Sequence, residues 1–395
     1  MSTETSVNNT AAADSKLKAP DPGEVNQQLS LQDIQAFEKI TSLEISPEQA
    51  AKIAAPGEVY PRQKAVLAVH WHPEHIPMEI ISRRIEKTFP AKEEELIIPT
   101  QHNQLMSYDG QYFGVEVDCY SRGFKRKVQL LLHFKSEKIK KAHVLRSMLA
   151  HTFEYRSSQL FEIMDTIINP RWDDYLQLAA EGTGVDETVI NFTRVQTRKL
   201  HTQLEENEAV INRQIIKNSL LPNYINAQRA LYNDTFINKV LVLIKSVKKI
   251  VKANFSPANF YRTSEIIEEA RGIGGGIIVP HPEQFWPILL CDYDVDGYEV
   301  WNPQSQEYTE FLINVINRQN KSRPSRDSKL LLFMGDDTHM AEKIKDPNTA
   351  EASKYYRDIG VQPAWDDLSI KKSLIIGSFS RKNMIREYRE RLTAG

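Results

Sequence analysis

Two cysteines in 395 residues, Cys119 and Cys291, exclude a disulfide framework and a zinc finger built on thiolates. A reduced compartment is the simplest inference, so a cytoplasmic location is expected. Charge of one sign is also missing: 50 Lys and Arg against 52 Asp and Glu leave a net charge of −2. That balance provides no broad electrostatic footprint for nucleic acid, although a local basic patch would still fit. No apolar run approaches the ~20 residues that span a bilayer, so no membrane partner is expected. Nor is there an apolar core near the amino terminus. Residues 1–28, rich in Ser, Thr, Asn and Ala, are expected to form a disordered tail and not a signal peptide. No internal repeat is found.

What is present is a series of short apolar runs, each followed by a polar turn. Ala65–Val69 leads into His70, and Leu96–Pro99 leads to His102. Phe113–Val115 precedes Glu116, and Val128–Leu132 leads into His133. Such lengths and flanks suit buried strands. A helical connection, Pro77 to Lys87, separates the first two, which implies parallel pairing and right-handed crossovers. Ser30–Asp33 and Ser46–Gln49, the second with Pro47 in its first turn, open helices within an N-terminal segment at 29–64.

The pattern then changes. Val189, Phe192, Val195, Leu200, Leu204, Ile211 and Ile215 recur at roughly helical spacing, as do Leu241, Ile244, Val247 and Ile250. Residues 141–265 are therefore expected to form a helical insertion, with Leu221–Pro222–Asn223 as a break. Strand-like runs return at Gly276–Val279, Gly297–Tyr298, Leu330–Phe333 and Leu374–Ile376. One α/β barrel is expected, its first part at 65–140 and its second at 266–395, closed around the helical excursion.

Seven of the ten histidines sit just past an apolar run: His70, His72, His75, His102, His133, His281 and His339. Residues after strands line the carboxyl-end face of a parallel barrel, where catalytic groups converge. In His70–Trp71–His72 both imidazoles point to one side, because strand side chains alternate with period two. Asp337–Thr338–His339 repeats that logic with a carboxylate. Any one of these is more often a packing residue or a turn, but the ordered set is harder to dismiss. Imidazole and carboxylate without thiolate suit zinc, manganese or iron.

That ordered set resembles the polymerase and histidinol phosphatase (PHP) domain family. His70–Trp71–His72 matches the opening H-x-H, and Pro99–Asn103 looks like the second motif, with Gln101 in the usual Asp place. Gly114–Val115–Glu116 resembles the family's G-x-E, and His133 its histidine closing the next strand. Gly275–Pro282 is similar to G-G-x-x-x-x-H-P, Asp296–Asn302 to D-G-x-E-x-x-N, and Gly335–His339 to G-S-D-x-H, with Asp336 replacing Ser. The resemblance spans roughly residues 65–140 and 265–380. It implies a distorted seven-stranded β/α barrel holding up to three divalent ions. The implied ligands are His70, His72, His102, Glu116, His133, His281, Asp337 and His339, plus one group from the first loop. Here the chain departs from the family, since that loop is short. His75 is the choice, with Glu74 and Glu79 as rivals. Glu116, His281, Asp337 and His339 would form the catalytic set, with Glu116 bridging metals. Asp118, Asn103 and Asn302 are candidates for orienting the imidazoles.

The implied activity is metal-dependent hydrolysis of a phosphoester, by a metal-bridging hydroxide, on a small phosphorylated metabolite or nucleotide. A phosphodiesterase or nuclease is the rival, which the charge balance disfavours. From a different class, a metal-stabilised binding or regulatory module remains open. Arg122, Lys125, Arg126 and Lys127 read either as a solvated hairpin or as a clamp for substrate phosphate, to which Asn302 could add a contact. Lys245, Lys248, Lys249 and Lys252 form a basic helix face, ordinarily a wet surface. Gly272–Gly276 is not a phosphate loop, because no Lys-Ser/Thr follows and it leads into a strand. Trp71, Trp286 and Trp301 beside the motifs are expected to pack in the core.

Overall fold

The computed structural model describes residues 25–324, 328–345 and 352–394. The tail expected over 1–28 falls outside them as far as position 24. The described chain divides into two compact units. One joins the residues up to Glu44 with Glu154–Ser256, and the other joins Ile45–Phe153 with the chain from Pro257 onward. No helix among the described residues is long and apolar enough to cross a membrane.

The first unit is helical, with Leu31–Thr41, Asp173–Thr183, Glu187–Glu206, Leu220–Ala227 and Asp234–Asn254 as its main elements. Ser30 and Asp33 cap the first reciprocally, side chain to backbone. Phe192, Leu200, Tyr224, Val240 and Ile244 lie in its core, as residues three and four apart on a helix must if one stripe is buried. Pro222 does not break the chain. It occupies the first turn of Leu220–Ala227, where a missing N–H costs nothing. Within this apolar core Asp33 and Lys199 form a buried ion pair at 2.7 Å, and the Tyr224 hydroxyl donates to Asp33 at 3.3 Å.

Among the described residues the second unit holds ten strands: β1 (Ala65–Ala68), β2 (Trp71–His72), β3 (Glu94–Ile97), β4 (Met106–Ser107), β5 (Tyr112–Ser121), β6 (Arg126–Lys135), β7 (Gly276–Val279), β8 (Gly297–Trp301), β9 (Leu331–Met334) and β10 (Thr338–His339). Alternation along β1 serves two cores. Ala65, Leu67 and Val69 face one, Val66 and Ala68 the other.

The expected closed seven-stranded barrel is not formed. The strands fall into one six-stranded sheet, β4-β5-β6-β7-β8-β9, and two parallel pairs, β1-β3 and β2-β10. The four-residue turn between β5 and β6 is too short for a crossover, so these ten-residue strands pair antiparallel; β4 with β5 and β6 with β7 do likewise. Two junctions link these sheets. Between β3 and β5 there is one isolated bridge, His102 to Glu116. Between β1 and β9 no backbone ladder forms among the described residues; instead the buried Gln362 amide donates to Leu67 O at 2.8 Å and to Met334 O at 2.6 Å. The run Leu374–Ile376 is also not a strand, but part of a short helix, Lys371–Ile376. Only Leu374 is buried there, and three apolar residues are too few to set a period. The last helix, Arg381–Ala394, inserts Met384, Ile385, Tyr388 and Leu392 into the core.

Candidate metal centre

β2 and β10 pair in parallel with Trp71 opposite Thr338 and His72 opposite His339. Period two then sets His70 beside Asp337, whose N–H donates to the His70 carbonyl at 2.9 Å. The H-x-H and D-x-H segments therefore present their side chains together. His72 and His339 stack with ring centroids 4.3 Å apart, and His102 stacks against His72 at 4.5 Å and lies 6.1 Å from His339. His70 and His281 lie 5.7 Å apart.

Glu116 enters from the middle of β5. Its Oε2 is 2.6 Å from His102 Nδ1 and 3.5 Å from His72 Nε2, and its Oε1 is 3.6 Å from His281 Nε2. Gly114 permits this approach, since a Cβ there would sit 2.3 Å from the Pro99 carbonyl oxygen. Asp337 Oδ1 lies 3.4 Å from His72, 3.6 Å from His339 and 3.7 Å from His70, nitrogen to oxygen. Its Oδ2 accepts from Arg357 at 2.7 Å and from Gln304 at 3.3 Å. Two overlapping groups, His72–His102–His339 and His70–His72–Glu116, bring their ligand atoms within 4.8 Å of one another and can hold a metal ion.

Backbone strain concentrates here. Glu74, Asn103, His281 and Asp337 all have positive φ, between 31° and 55°, a region that favours glycine. Each such residue costs on the order of 1–3 kcal/mol and persists only where its surroundings over-determine it.

The first loop brings Glu74 beside the cluster. Glu74 Oε1 lies 3.7 Å from His339 Nδ1, and its Oε2 accepts from the Ala341 N–H. His75 and Glu79 belong to neither metal-capable group. His133 is also not among them. Both its ring nitrogens have partners, the Tyr388 hydroxyl at 2.7 Å and the Val69 carbonyl at 3.1 Å. Arg122, Lys125 and Arg126 are exposed at the β5–β6 turn. That turn begins beyond Ser121, about 17 Å along the strand from Glu116. Asn302 is buried, donating to Glu299 Oε1 at 3.1 Å and accepting from the Gln304 N–H. Asn103 and Asp118 bond each other through Asn103 Nδ2 and the Asp118 N–H. They brace the loop that carries His102.

One acidic residue was not singled out from the sequence. Glu299, in the D-G-x-E-x-x-N segment, sets Oε2 2.5 Å from His70 Nδ1 and accepts the His281 N–H on Oε1. A carboxylate on the far nitrogen of a histidine is the usual device for fixing its tautomer toward a metal. Gly335 makes room for it, since a Cβ there would lie 1.9 Å from Glu299 Oε2.

The electrostatics follow from packing these groups together. Burial works against charge on His70, but Glu299, with Asp337 and Glu116 behind it, pushes its pKa up to about 10. His72, buried and flanked by His339 and His102, is pushed down to about 3. Burial would raise the Glu116 and Asp337 carboxyls, yet the surrounding imidazoles hold both well below the carboxylate range. Burial lifts Asp336 to about 7, against its bonds from Thr338 and Gly360.

The donors fit a divalent cation. His70 Nε2 and both ring nitrogens of His72 are buried without a hydrogen bond of ordinary geometry among the described residues. Such groups are costly in a protein interior unless something satisfies them. Here they converge with anionic carboxylates and no thiolate.

No protein-family model matches the chain, and no curated protein matches it. Among solved structures it is similar to one from Bifidobacterium adolescentis named a "putative metal-dependent phosphoesterase". The two share 17% identity over 80% of this chain and 97% of that one, with a TM-score of 0.38.

Proposed function

We propose that this protein is a metal-dependent hydrolase of phosphoesters, of the polymerase and histidinol phosphatase type, acting on a small phosphorylated metabolite or nucleotide. The observation that carries the proposal is the convergence of unsatisfied buried imidazole nitrogens with Glu116 and Asp337. His70, His72, His102, Glu116, His281, Asp337 and His339 would hold the ions, with Glu74 completing the first loop. Zinc, manganese or iron suits these donors. Bound there, such cations supply Lewis acidity toward a phosphoryl oxygen and make a water nucleophilic near neutral pH.

The chain's own residues do the positioning. With a cation bound in place of the second ring proton, Glu299 would hold the remaining His70 proton on Nδ1 and leave the Nε2 lone pair for the centre. Arg357 holds Asp337 Oδ2 and leaves Oδ1 facing the imidazoles. Glu116 turns each oxygen toward a different histidine, as a bridging carboxylate must. His102 and His339 keep about a quarter of their side chains exposed, whereas His70, His72 and Glu116 are buried. Substrate would therefore approach from the His102–His339 side.

The test is elemental analysis of the purified protein, followed by assay of a chromogenic monoester and the matching diester with added Mn²⁺ or Zn²⁺. Two to three ions per chain and turnover of the monoester are expected, both lost in His70→Ala and Asp337→Ala. Faster diester turnover would move the assignment to a phosphodiesterase. Bound metal with no turnover of either ester would favour a metal-stabilised binding module.

A further inference from the structure

A cleft of about 710 Å³ opens beside Ala65, the residue that begins β1. His70 follows five residues later, about 16 Å away along an extended chain. The cleft is thus at the opposite end of the strand from the candidate metal centre. Five cationic side chains line it, Arg62, Lys64, Lys371, Arg381 and Lys382, against one carboxylate, Asp366. Tyr60, Trp365 and Phe379 supply apolar wall.

The pairing of these charges leaves a surplus. Asp366 accepts from Arg381 at 3.0 Å. Lys64 and Lys382 pair with Glu93 at 2.7 Å and Glu94 at 3.5 Å, neither of which lines the cleft. Lys371 donates to the Trp365 carbonyl at 3.3 Å, and Arg62 has no ion pair among the described residues.

Arg381 is the fixed element. Its side chain is only 14% exposed, and Nη2 donates to the Gln362 carbonyl at 3.0 Å. Its Nε is buried with no acceptor among the described residues. Arg381 also begins the 14-residue terminal helix, whose positive dipole end faces the cleft. Ser380 takes the Asn383 and Met384 N–H groups, while those of Arg381 and Lys382 have no acceptor among the described residues. A rigid guanidinium, helix N–H donors and two cations without carboxylate partners are the components that recognise a phosphate. The volume exceeds that of a bare ion and falls in the range of small-molecule sites.

We propose that this cleft is a second ligand site, separate from the metal centre, for a small molecule that carries a phosphate group, seated against Arg381 and the start of the terminal helix with Arg62 and Lys371 closing over it.

Arg381 also supports Gln362, so its loss would confuse binding with folding. The test uses Arg62 and Lys371, both exposed. Inorganic pyrophosphate is titrated calorimetrically into the full chain, into Arg62→Glu/Lys371→Glu, and into His72→Ala. Saturable binding to the wild type is expected, retained in His72→Ala and weakened at least about tenfold in the double variant at unchanged melting temperature. Absence of saturable binding would overturn the proposal. So would binding that disappears in His72→Ala but survives in the double variant, because the signal would then belong to the metal centre.

Discussion

His72 and His339 occupy opposed positions on two parallel strands, and their rings stack 4.3 Å apart. The pairing joins two segments 267 positions apart in the chain. It makes the spacing of one motif the geometric copy of the other. His72→Ala should therefore lower metal content as much as His339→Ala does, and the double variant should lose little more than either. Additive losses, measured by metal analysis after dialysis, would indicate independent sites.

Glu299 acts on the centre through His70. Glu299→Gln preserves shape but removes the anion against Nδ1, and should weaken metal affinity about 10–100-fold, the usual cost of losing such a partner. Competition with a fluorescent chelator reads this directly. Unchanged affinity would remove Glu299 from any orienting role.

Gly335→Ala would drive a methyl group into the Glu299 carboxylate. Overpacking of this kind costs about 1–3 kcal/mol. A lowered melting temperature together with reduced metal content is expected. If only the melting temperature falls, the glycine serves packing alone.

In the helical unit, burial would raise the Asp33 pKa, but Lys199 and Ser30 hold it below its ordinary value. A carboxyl depressed by folding adds stability above its unfolded pKa and loses it as pH falls through the folded one. Wild-type stability should thus decline on acidification below about pH 4. Asp33→Asn should flatten that decline and cost about 3–5 kcal/mol near neutrality by stranding the Lys199 ammonium. Urea denaturation at pH 3, 4 and 7 would falsify this if the variant matched the wild type throughout.

Cys119 is fully buried on β5, and burial pushes its thiol up to about 12. Cys291 is partly exposed. A maleimide at pH 8 should label one thiol per native chain, on Cys291, and two in denaturant. Native labelling of Cys119 would show that β5 opens.

Much of this arrangement was legible in the sequence, because strand ends and period-two spacing are local. His70, His72, Asp337 and His339 fall together as soon as β2 pairs with β10 in register. What was not legible depends on distant parts of the chain. Nothing local says that Tyr388, 255 residues away, takes one nitrogen of His133 while Val69 takes the other. Glu74 comes within 3.7 Å of His339 from a turn in which its own backbone adopts positive φ, which no hydropathy pattern records. Barrel closure was expected from alternating strands and helices, yet Arg122–Lys125 joins β5 and β6 as a hairpin. The basic cluster that marks the hairpin had carried both readings, turn and clamp.

Gln362 spans the seam between β1 and β9 with one amide group, three residues before His70 on one strand and three before Asp337 on the other. Elsewhere in a sheet the spacing of neighbouring strands is fixed redundantly, by many peptide groups acting at once. Here, at the level of Leu67 and Met334, one side chain bridges the two strands, and three residues further on the Asp337 N–H bond to the His70 carbonyl and the β2–β10 ladder take over. A change in the reach of that glutamine would therefore press on the spacing of His70 and Asp337 from outside the centre, against the backbone pairing that joins them.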